Sequence, residues 1–322
     1  MAIRGLTINR REALVGLMAA AAARPGFAQD TYPLALGRPH IDFIQSQLAP
    51  SRVLGPTNSQ PGVSGTPLSY DAKGTRAVTV IFRFPQNWSM TRPHYVNSDQ
   101  EFFVLDGELE INGTLYRRGD YAYLPAGLAH TSRSSGPGAT LLNFYEGEHL
   151  AFYEPTPAGM YLPEKLIRKL VADEQPWQTS REPAFATLGP GVREKRLRHD
   201  PASGESTWLV EVAADPAADA APLRPTVSHA VVEESYVLQG EIATPRGTMK
   251  SGAYSWRAPG TPRGPWGSRT GYQLLVRSRR GALATTVSAE PARVTWDAPY
   301  DPAIPESMRA FAFGARSAAT AY

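Results

Sequence analysis

The sequence predicts an all-β protein, and its composition, its turns and an internal repeat each point to that class. The 28 glycines and 29 prolines make up about 18% of the 322 residues, against roughly 12% in average proteins. Such a content favours short strands and turns over long helices. Apolar residues at 42% and charged residues at 20% are ordinary for a globular chain, which excludes an extended disordered protein.

The internal repeat has an offset of 133 residues. The segment QEFFVLDGE at 100–108 corresponds to EESYVLQGE at 233–241, and the same offset relates Gly119 to Gly252 and Gly127 to Gly260. Because no insertion interrupts this spacing, the sequence predicts two copies of one structural unit.

Each unit is predicted to consist of strands. In the first copy, runs of β-branched, aromatic and aliphatic residues predict strands over 77–84, 102–105, 121–124 and 140–145. Asn112-Gly113 predicts a hairpin turn, because both residues tolerate the positive φ of a type I′ turn. The matching turn in the second copy is Pro245-Arg246-Gly247.

The segment 163–173 is predicted to be a short helix that links the two units. It begins with proline, which is favoured in the first helical turn. Its apolar residues stand at helical spacing: Leu166, Ile167, Leu170 and Val171.

The N-terminus resembles a twin-arginine export signal. Arg10 and Arg11 precede an apolar run over 13–23, which is too short to span a bilayer, and a small-residue cleavage site ends at Ala28. Removal of residues 1–28 would take four arginines and one glutamate, so that 33 basic and 30 acidic residues become 29 of each. The mature chain would be neutral, which argues against nucleic-acid binding. We expect a periplasmic or secreted protein without membrane association after cleavage.

These observations predict an order of segments along the chain. They are a signal peptide (1–28), an N-terminal arm (29–76) that could lend strands to either unit, a first barrel (77–160), a helical linker (161–184), a second barrel (185–290) and a C-terminal tail (291–322).

A dense motif lies in the first unit. Gly119, then five residues, Pro125, one residue, Gly127, two residues and His130 match every defined position of the second conserved block of the cupin barrel. The chain therefore resembles a bicupin, two tandem cupin or jelly-roll barrels, over 77–289. The resemblance implies a ligand-binding site inside each barrel.

The first conserved block is only partly matched. The family pattern has two histidines two residues apart, then Glu or Gln, then Gly; this chain has His94, Val96, Gln100 and Gly107 at those positions. Residues two apart on a strand share a face, so positions 94 and 96 are both expected to face the barrel interior. Val96 stands in the place of one imidazole.

The candidate metal ligands are His94, Gln100 and His130. The chain has no cysteine, so that any metal must be held by imidazole, carboxylate or amide groups. The resemblance implies one divalent transition metal in the first barrel, either Fe, Mn, Ni, Cu or Zn, and some cupins use glutamine at the third position. Glu101 is a rival ligand, because a register shift of one residue would turn it inward. Alternatively, His94 and His130 are interior histidines that hold no metal.

The second barrel departs further from the pattern. His229 and Glu233 occupy ligand positions, and Arg263 replaces the last histidine. An arginine there could clamp a carboxylate or phosphate, or it could pair with Glu233. A structural or substrate-binding role is favoured over a metal site.

Three classes of function are open at this point. The first is a metal-dependent enzyme, of dioxygenase or related oxidoreductase type, that acts on a small organic molecule in the first barrel, with aromatic compounds among the candidate substrates. Lyase, decarboxylase and isomerase chemistry also occur on this fold. The second is a non-catalytic cupin that binds a sugar or carboxylate. The third is a sensor or partner-binding role without small-molecule chemistry. A homodimer is compatible with the resemblance.

Overall fold

The computed structural model describes residues 37–55, 60–216 and 220–314. Strands dominate these residues, as the turn-rich composition predicts. The predicted signal peptide lies outside the described residues. In the three described ranges, no helix is both long enough and apolar enough to cross a membrane.

The first strand along the chain, β1 (Ile41–Gln45), belongs to the second barrel, and the strands after it build the first barrel. These are β2 (Arg52–Val53), β3 (Ser64–Tyr70), β4 (Val78–Phe84), β5 (Trp88–Met90), β6 (His94–Val96), β7 (Gln100–Ile111), β8 (Thr114–Arg117), β9 (Asp120–Leu124), β10 (Ala129–His130), β11 (Arg133–Ser135), β12 (Ala139–Tyr145), β13 (Ala151–Phe152) and β14 (Ile167–Val171). The four strands predicted in the first copy are present as β4, β7, β9 and β12.

The main sheet of the first barrel has the strand order β14-β9-β7-β12-β4-β3-β2. The second half of the long β7 leaves this sheet to pair with β8 and β11. Asn112 and Gly113, with φ of 51° and 76°, form the predicted turn between β7 and β8. A small sheet in the order β10-β6-β13 carries the two histidines of the motif.

The second barrel repeats this plan. Its strands are β15 (Gln178–Thr179), β16 (Arg193–His199), β17 (Ser206–Val212), β18 (Leu223–Arg224), β19 (Val227–His229), β20 (Val232–Thr244), β21 (Gly247–Lys250), β22 (Ala253–Arg257), β23 (Tyr272–Arg279), β24 (Thr285–Val287) and β25 (Ala292–Arg293). The main sheet has the order β1-β22-β20-β23-β17-β16-β15, and β18-β25 and β19-β24 form two-stranded sheets. One α-helix occurs in the described residues, α1 (Glu306–Ala312).

The repeat is visible in the backbone as well as in the sequence. Gly107 and Gly240 have φ of 73° and 78°. A Cβ atom at either position would overlap a carbonyl oxygen, that of Gly138 in the first barrel and that of Gly271 in the second. Glycine is required at both positions, since the backbone is left-handed and another strand passes too close for a side chain.

Buried apolar side chains form one group inside each barrel and a third group between them. The first barrel encloses Val78, Val80, Phe82, Phe84, Trp88, Val96, Phe102, Val104, Ile111, Tyr116, Leu141 and Tyr145, among others. The second encloses Trp208, Val210, Val237, Met249, Trp266, Tyr272 and Leu274, among others. The group between the barrels includes Leu68, Ile81, Phe103, Leu142, Phe144, Leu209, Tyr236, Tyr254, Trp256 and Leu275.

The helix predicted over 163–173 is wrong. Pro163–Lys165 is a single 3-10 turn, and Ile167–Val171 is strand β14. Ile167 pairs with Tyr123 and Leu170 with Tyr121, with a register shift between them. The extra residue of this bulge puts two apolar side chains three positions apart on one face, and that spacing imitates a helix.

The arm and the tail are built into the sheets. β1 pairs with β22 of the second barrel, whereas β2 and β3 continue the main sheet of the first. The arm therefore supplies strands to both barrels. In the tail, β25 pairs with β18, and Ile304 and Ala312 pack into the apolar group between the barrels.

Candidate functional site in the first barrel

Two histidines lie opposite each other in the small sheet of the first barrel. β6 and β10 are antiparallel, and His94 is the direct partner of His130. Their rings stack with centroids 5.3 Å apart and an interplanar angle of 19°. The Gly127 N–H donates to the Val96 carbonyl at 2.8 Å, which ties the turn before β10 to β6. The motif thus brings both imidazoles together in the barrel, where both are buried.

Gln100 faces the same interior. It begins β7, and the side chains two and four residues further on, Phe102 and Val104, belong to the apolar group inside the barrel. The Gln100 Nε2 group donates to Asn143 Oδ1 at 2.8 Å. Asn143 in turn donates to the Leu141 carbonyl at 3.2 Å. This chain of bonds orients the amide of Gln100.

The rival ligand Glu101 lies on the opposite face of β7, between the barrels. It forms an ion pair with Arg277 at 2.7 Å and accepts hydrogen bonds from Tyr121 and Thr207. Burial opposes its ionisation, but the charges of Arg277 and Arg198 outweigh burial and hold the pKa of Glu101 below its ordinary value. The side chain is therefore committed to the contact between barrels and does not reach the histidine pair.

Each of the three predicted ligands has a buried atom without a hydrogen-bond partner. These atoms are His94 Nε2, His130 Nδ1 and Gln100 Oε1. The His94 Nδ1 atom lies 3.0 Å from the Arg92 carbonyl oxygen. Because a carbonyl can only accept, Nδ1 carries the proton, and the lone pair of His94 is on Nε2.

Both histidines are held in the neutral form. Burial lowers the pKa of His94, and the positive charge of Arg133 lowers it further. Burial also lowers the pKa of His130 well below its ordinary value, with Arg133 and His94 adding to the effect. Neutral imidazole is the form that binds metal ions.

The donor set fits a divalent transition metal through its chemistry. In the described part of the chain, no three His, Cys, Asp or Glu side chains are grouped closely enough to hold a metal. If a metal binds at the histidine pair, the third protein donor available among the described residues would be the Gln100 amide, together with the two imidazoles. This set is neutral, so that it leaves the full charge of a bound cation uncompensated.

Arg133 is a site residue that the sequence reasoning missed. It lies on β11 opposite Ile111, is only 2% exposed, and has its guanidinium 5.7 Å from the Phe84 ring centroid and 5.9 Å from that of Trp88. Its Nε and Nη2 atoms are buried without a hydrogen-bond partner. Arg133 lies three residues beyond His130, the last residue of the motif. Its burial follows from the pairing of β11 with β5, which no sequence motif indicates.

His149 is a second residue that could not be predicted from the sequence, and it lies against Tyr145 in the first barrel. The His149 ring stacks on the Tyr145 ring with centroids 4.3 Å apart, and Gln60 donates to the Tyr145 hydroxyl at 3.3 Å. Burial lowers the pKa of His149 to about 4. The chain then continues as β13 beside β6 and brings the Tyr153 ring to 6.1 Å from the His94 ring. The segment that follows β12 therefore covers the histidine pair.

In the second barrel, the three predicted residues satisfy one another. Glu233 Oε2 lies 2.7 Å from His229 Nε2 and 2.8 Å from Arg263 Nε. Arg263 also donates to the Ala184 carbonyl at 3.3 Å, and His229 Nδ1 lies 3.0 Å from the Thr285 hydroxyl. Burial raises the pKa of Glu233, but Arg263 and His229 more than offset this and keep it ionised. Of the two roles left open for Arg263, the structure has the pairing with Glu233.

Comparison with known proteins supports the same fold. The ChrR Cupin-like domain family matches residues 53–148. No curated protein matches the chain. Among solved structures, a "putative dioxygenase" from Nostoc punctiforme is similar with a TM-score of 0.69 at 17% identity, over 83% of this chain and 99% of that one. YlbA from Escherichia coli is similar with a TM-score of 0.50 at 13% identity, over 75% and 91%.

Salicylate 1,2-dioxygenase from Pseudoaminobacter salicylatoxidans aligns with a TM-score of 0.49 at 13% identity, over 90% of this chain and 97% of that one. The likeness to the Nostoc punctiforme protein, at 17% identity, shows the fold and not an activity. The chain has the all-β architecture of two tandem cupin-type barrels.

Proposed function

We propose that this protein is a metal-dependent enzyme of the oxygenase type, with its site in the first barrel and a small organic molecule as substrate. The observation that carries the proposal is a contrast between barrels. In the second barrel, His229, Glu233 and Arg263 bind one another. In the first barrel, His94 and His130 each keep a buried nitrogen atom without a partner.

Such unpaired atoms are costly in a stable fold. A buried polar atom without a hydrogen bond costs about 1–3 kcal/mol, and three of them face one interior together with the unpaired nitrogens of Arg133. Atoms kept in that condition are typical of a site that is completed by a ligand. The first barrel is therefore the reactive one.

The chain's own residues have definable tasks in this site. His94, His130 and Gln100 would hold the metal. The hydrogen bond from Gln100 Nε2 to Asn143 Oδ1 fixes the orientation of the amide and leaves Gln100 Oε1 without a partner. A bound divalent transition metal would supply Lewis-acid and redox chemistry toward dioxygen or a coordinated substrate. The surrounding aromatic and aliphatic side chains exclude water and favour an apolar substrate body.

A second function is supported by the neutral donor set. Two imidazoles and an amide beside the positive charge of Arg133 are a weaker metal site than one with a carboxylate ligand. A cupin that binds a sugar or carboxylate without catalysis would need the same interior but no metal. Metal content separates the two functions directly.

The test is metal analysis of protein purified without a tag, before and after incubation with Fe(II), Mn(II), Ni(II), Cu(II) and Zn(II). We expect about one equivalent in the wild type and near none in His94→Ala or His130→Ala. His199→Ala is the matched control, since His199 is exposed and bonds only to Ser206 in the second barrel. His229→Ala should also keep its metal.

The metalloenzyme would be refuted if the wild-type protein takes up none of these metals and none of them raises its melting temperature. The non-catalytic binding function would then remain. Equal loss of metal from His94→Ala, His130→Ala and His229→Ala would mean that the metal site is not in the first barrel, or that the two barrels share one site. Export by the twin-arginine route to the periplasm or medium, and a homodimer, are proposals that rest on the sequence alone.

A further inference from the structure

The first barrel contains a buried positive charge for which the described residues supply no negative partner. Arg133 is 2% exposed, and its Nε and Nη2 atoms make no hydrogen bond. A guanidinium stays charged even where burial lowers its pKa, as it does here. A buried charge is normally paired, because its transfer out of water is expensive.

The carboxylates of the first barrel are bound elsewhere. Asp99 accepts from the Tyr123 hydroxyl at 2.6 Å and from the Ala126 N–H at 2.8 Å. Asp120 pairs with Lys169 at 2.9 Å, and Glu108 pairs with Arg117 at 2.9 Å on the surface. Glu101 and Glu146 are bound to Arg277 between the barrels. Among the described residues the other carboxylates of this barrel form no ion pair with Arg133 either; they are Asp106, Glu110, Glu148 and Glu154. None of these groups is available to Arg133.

The second barrel provides an internal comparison. Its interior Arg263 is paired with Glu233 at 2.8 Å, and the neighbouring Arg257 with Asp42 at 3.0 Å. Both of these buried arginines of the second barrel therefore have a carboxylate partner within the protein. Arg133 departs from this rule in the barrel that also holds the unpaired histidine atoms.

The surroundings of Arg133 indicate the kind of anion. The Phe84 and Trp88 rings, whose centroids are 4.8 Å apart, lie together on one side of its guanidinium. The ionisable groups near it are neutral, because burial raises the pKa values of Tyr145 and Tyr116 and lowers those of His94 and His130. The planar fork of a guanidinium suits a carboxylate. The aromatic walls suit an apolar body attached to that carboxylate.

We infer that Arg133 is a specificity-determining residue that pairs with the carboxylate of a small organic acid, whose apolar part lies among the aromatic side chains of the first barrel. This inference rests on the first barrel as the ligand site of the proposed function, but not on the metal. With a metal bound to the neutral donor set, the need for an anionic ligand would be greater still.

The test measures binding with three pairs of probes of nearly equal shape, in each of which a neutral amide replaces the carboxylate: benzoate and benzamide, phenylacetate and phenylacetamide, hexanoate and hexanamide. Titration calorimetry and thermal shift are run on chelator-treated and on metal-loaded full-length protein, with inorganic phosphate as a further probe. We expect at least one acid to bind wild-type protein at least tenfold more tightly than its amide. Phosphate should not compete.

Arg133→Met keeps most of the volume and removes the charge, and we expect it to abolish the preference for the acid. Arg133→Lys should retain a reduced preference, because a lysine keeps the charge but loses the fork. Arg117→Met, on the surface of the same barrel and 60% exposed, is the matched control and should bind as the wild type does.

A second readout does not depend on the choice of probe. If the charge of Arg133 awaits a ligand, ligand-free Arg133→Met should melt at the same temperature as the wild type or higher. A lower melting temperature would mean that the side chain is paired within the fold, and this would overturn the inference. Binding of no acid in preference to its amide, or equal competition by phosphate, would overturn it as well.

The outcomes distinguish this inference from the proposed function. If Arg133→Met retains metal and the wild type shows no preference for acids, the inference fails and the metalloenzyme stands. If the wild type holds no metal but binds an acid through Arg133, the metalloenzyme fails and the inference stands.

Discussion

Replacement of Arg277 by methionine is expected to weaken the contact between the two barrels. The guanidinium is buried and forms ion pairs with Glu101 at 2.7 Å and with Glu234 at 2.6 Å, the equivalent glutamates of the two repeats. It also pairs with Glu146 at 2.7 Å and lies 3.9 Å from the Phe144 ring centroid. One cation thus neutralises carboxylates from both halves of the chain.

The size of the effect follows from what remains after the substitution. Removal of one partner of a buried ion pair costs about 3–5 kcal/mol. Methionine fills most of the vacated volume, so that little is added for a cavity. Glu101 keeps the hydrogen bond from Tyr121, and Glu234 keeps Arg38 at 3.4 Å. We therefore expect the lower end of that range, about 3 kcal/mol out of a total of roughly 5–15 kcal/mol.

The loss should depend on pH. Despite burial, Arg279 and Arg277 lower the pKa of Glu146 to about 2, and Arg277 also lowers that of Glu101. An acid whose pKa is lowered by folding stabilises the protein above its unfolded pKa of about 4.3, and this stabilisation is lost as the pH falls through the folded value. The difference between wild type and variant should be largest at pH 7 and smaller at pH 3.5.

Urea denaturation at both pH values, followed by tryptophan fluorescence, measures this difference. Arg193→Met is the control, because the Arg193–Glu211 pair is half exposed and a surface pair of this kind contributes about 0–1 kcal/mol. If Arg277→Met costs no more than Arg193→Met at pH 7, or if its cost grows on acidification, the network does not hold the barrels together.

Three further outcomes are expected. Val96→His should place a third imidazole on β6 and tighten metal binding by about tenfold or more in competition with a chelator; retention equal to that of the parent would argue against a metal in this barrel. Replacement of Arg10 and Arg11 by lysine should stop export, as measured by the fraction of protein outside the cytoplasm, whereas normal export would favour a Sec-type signal. Gly107→Ala should lower the free energy of unfolding by more than Gly113→Ala. Both glycines have a positive φ, which costs an alanine about 1–2 kcal/mol, but of these two positions only 107 would bring a Cβ atom into overlap with a backbone oxygen. Equal losses would mean that this overlap adds no cost.

The two barrels could be predicted from the sequence because the glycines that the turns require recur at a constant offset. Gly107 and Gly240 must be glycine in either copy, so that the offset of 133 residues survives where side-chain identity does not. The error over 163–173 has a local cause, since a bulge within β14 reproduces helical spacing. The pairing of β1 with β22 joins residues some 200 positions apart, and no local pattern reports such a contact.

The side of the strand on which each candidate residue lies could be predicted from the sequence, whereas the hydrogen-bond and ion-pair partners of these residues could not. Spacing to Gly107 correctly distinguished the inward Gln100 from the outward Glu101, because strand parity alone decides that question. Arg263 pairs with Glu233, whereas Arg133 has no carboxylate partner among the described residues. Both facts depend on distances between side chains of different strands, which sequence spacing does not give. Arg133 therefore became visible only in the folded chain.

The placement of β1 has a consequence for how the chain is made. Ile41 is synthesised about 215 residues before its partner Trp256, a delay of roughly 10–40 s at ordinary rates of translation. During that interval the first barrel can form, but the edge strand of the second barrel has nothing to pair with. The two halves are interlaced, so a cut between them would leave β22 with an open edge. Although the sequence contains a repeat, residues 185–290 do not form the complete second sheet without β1.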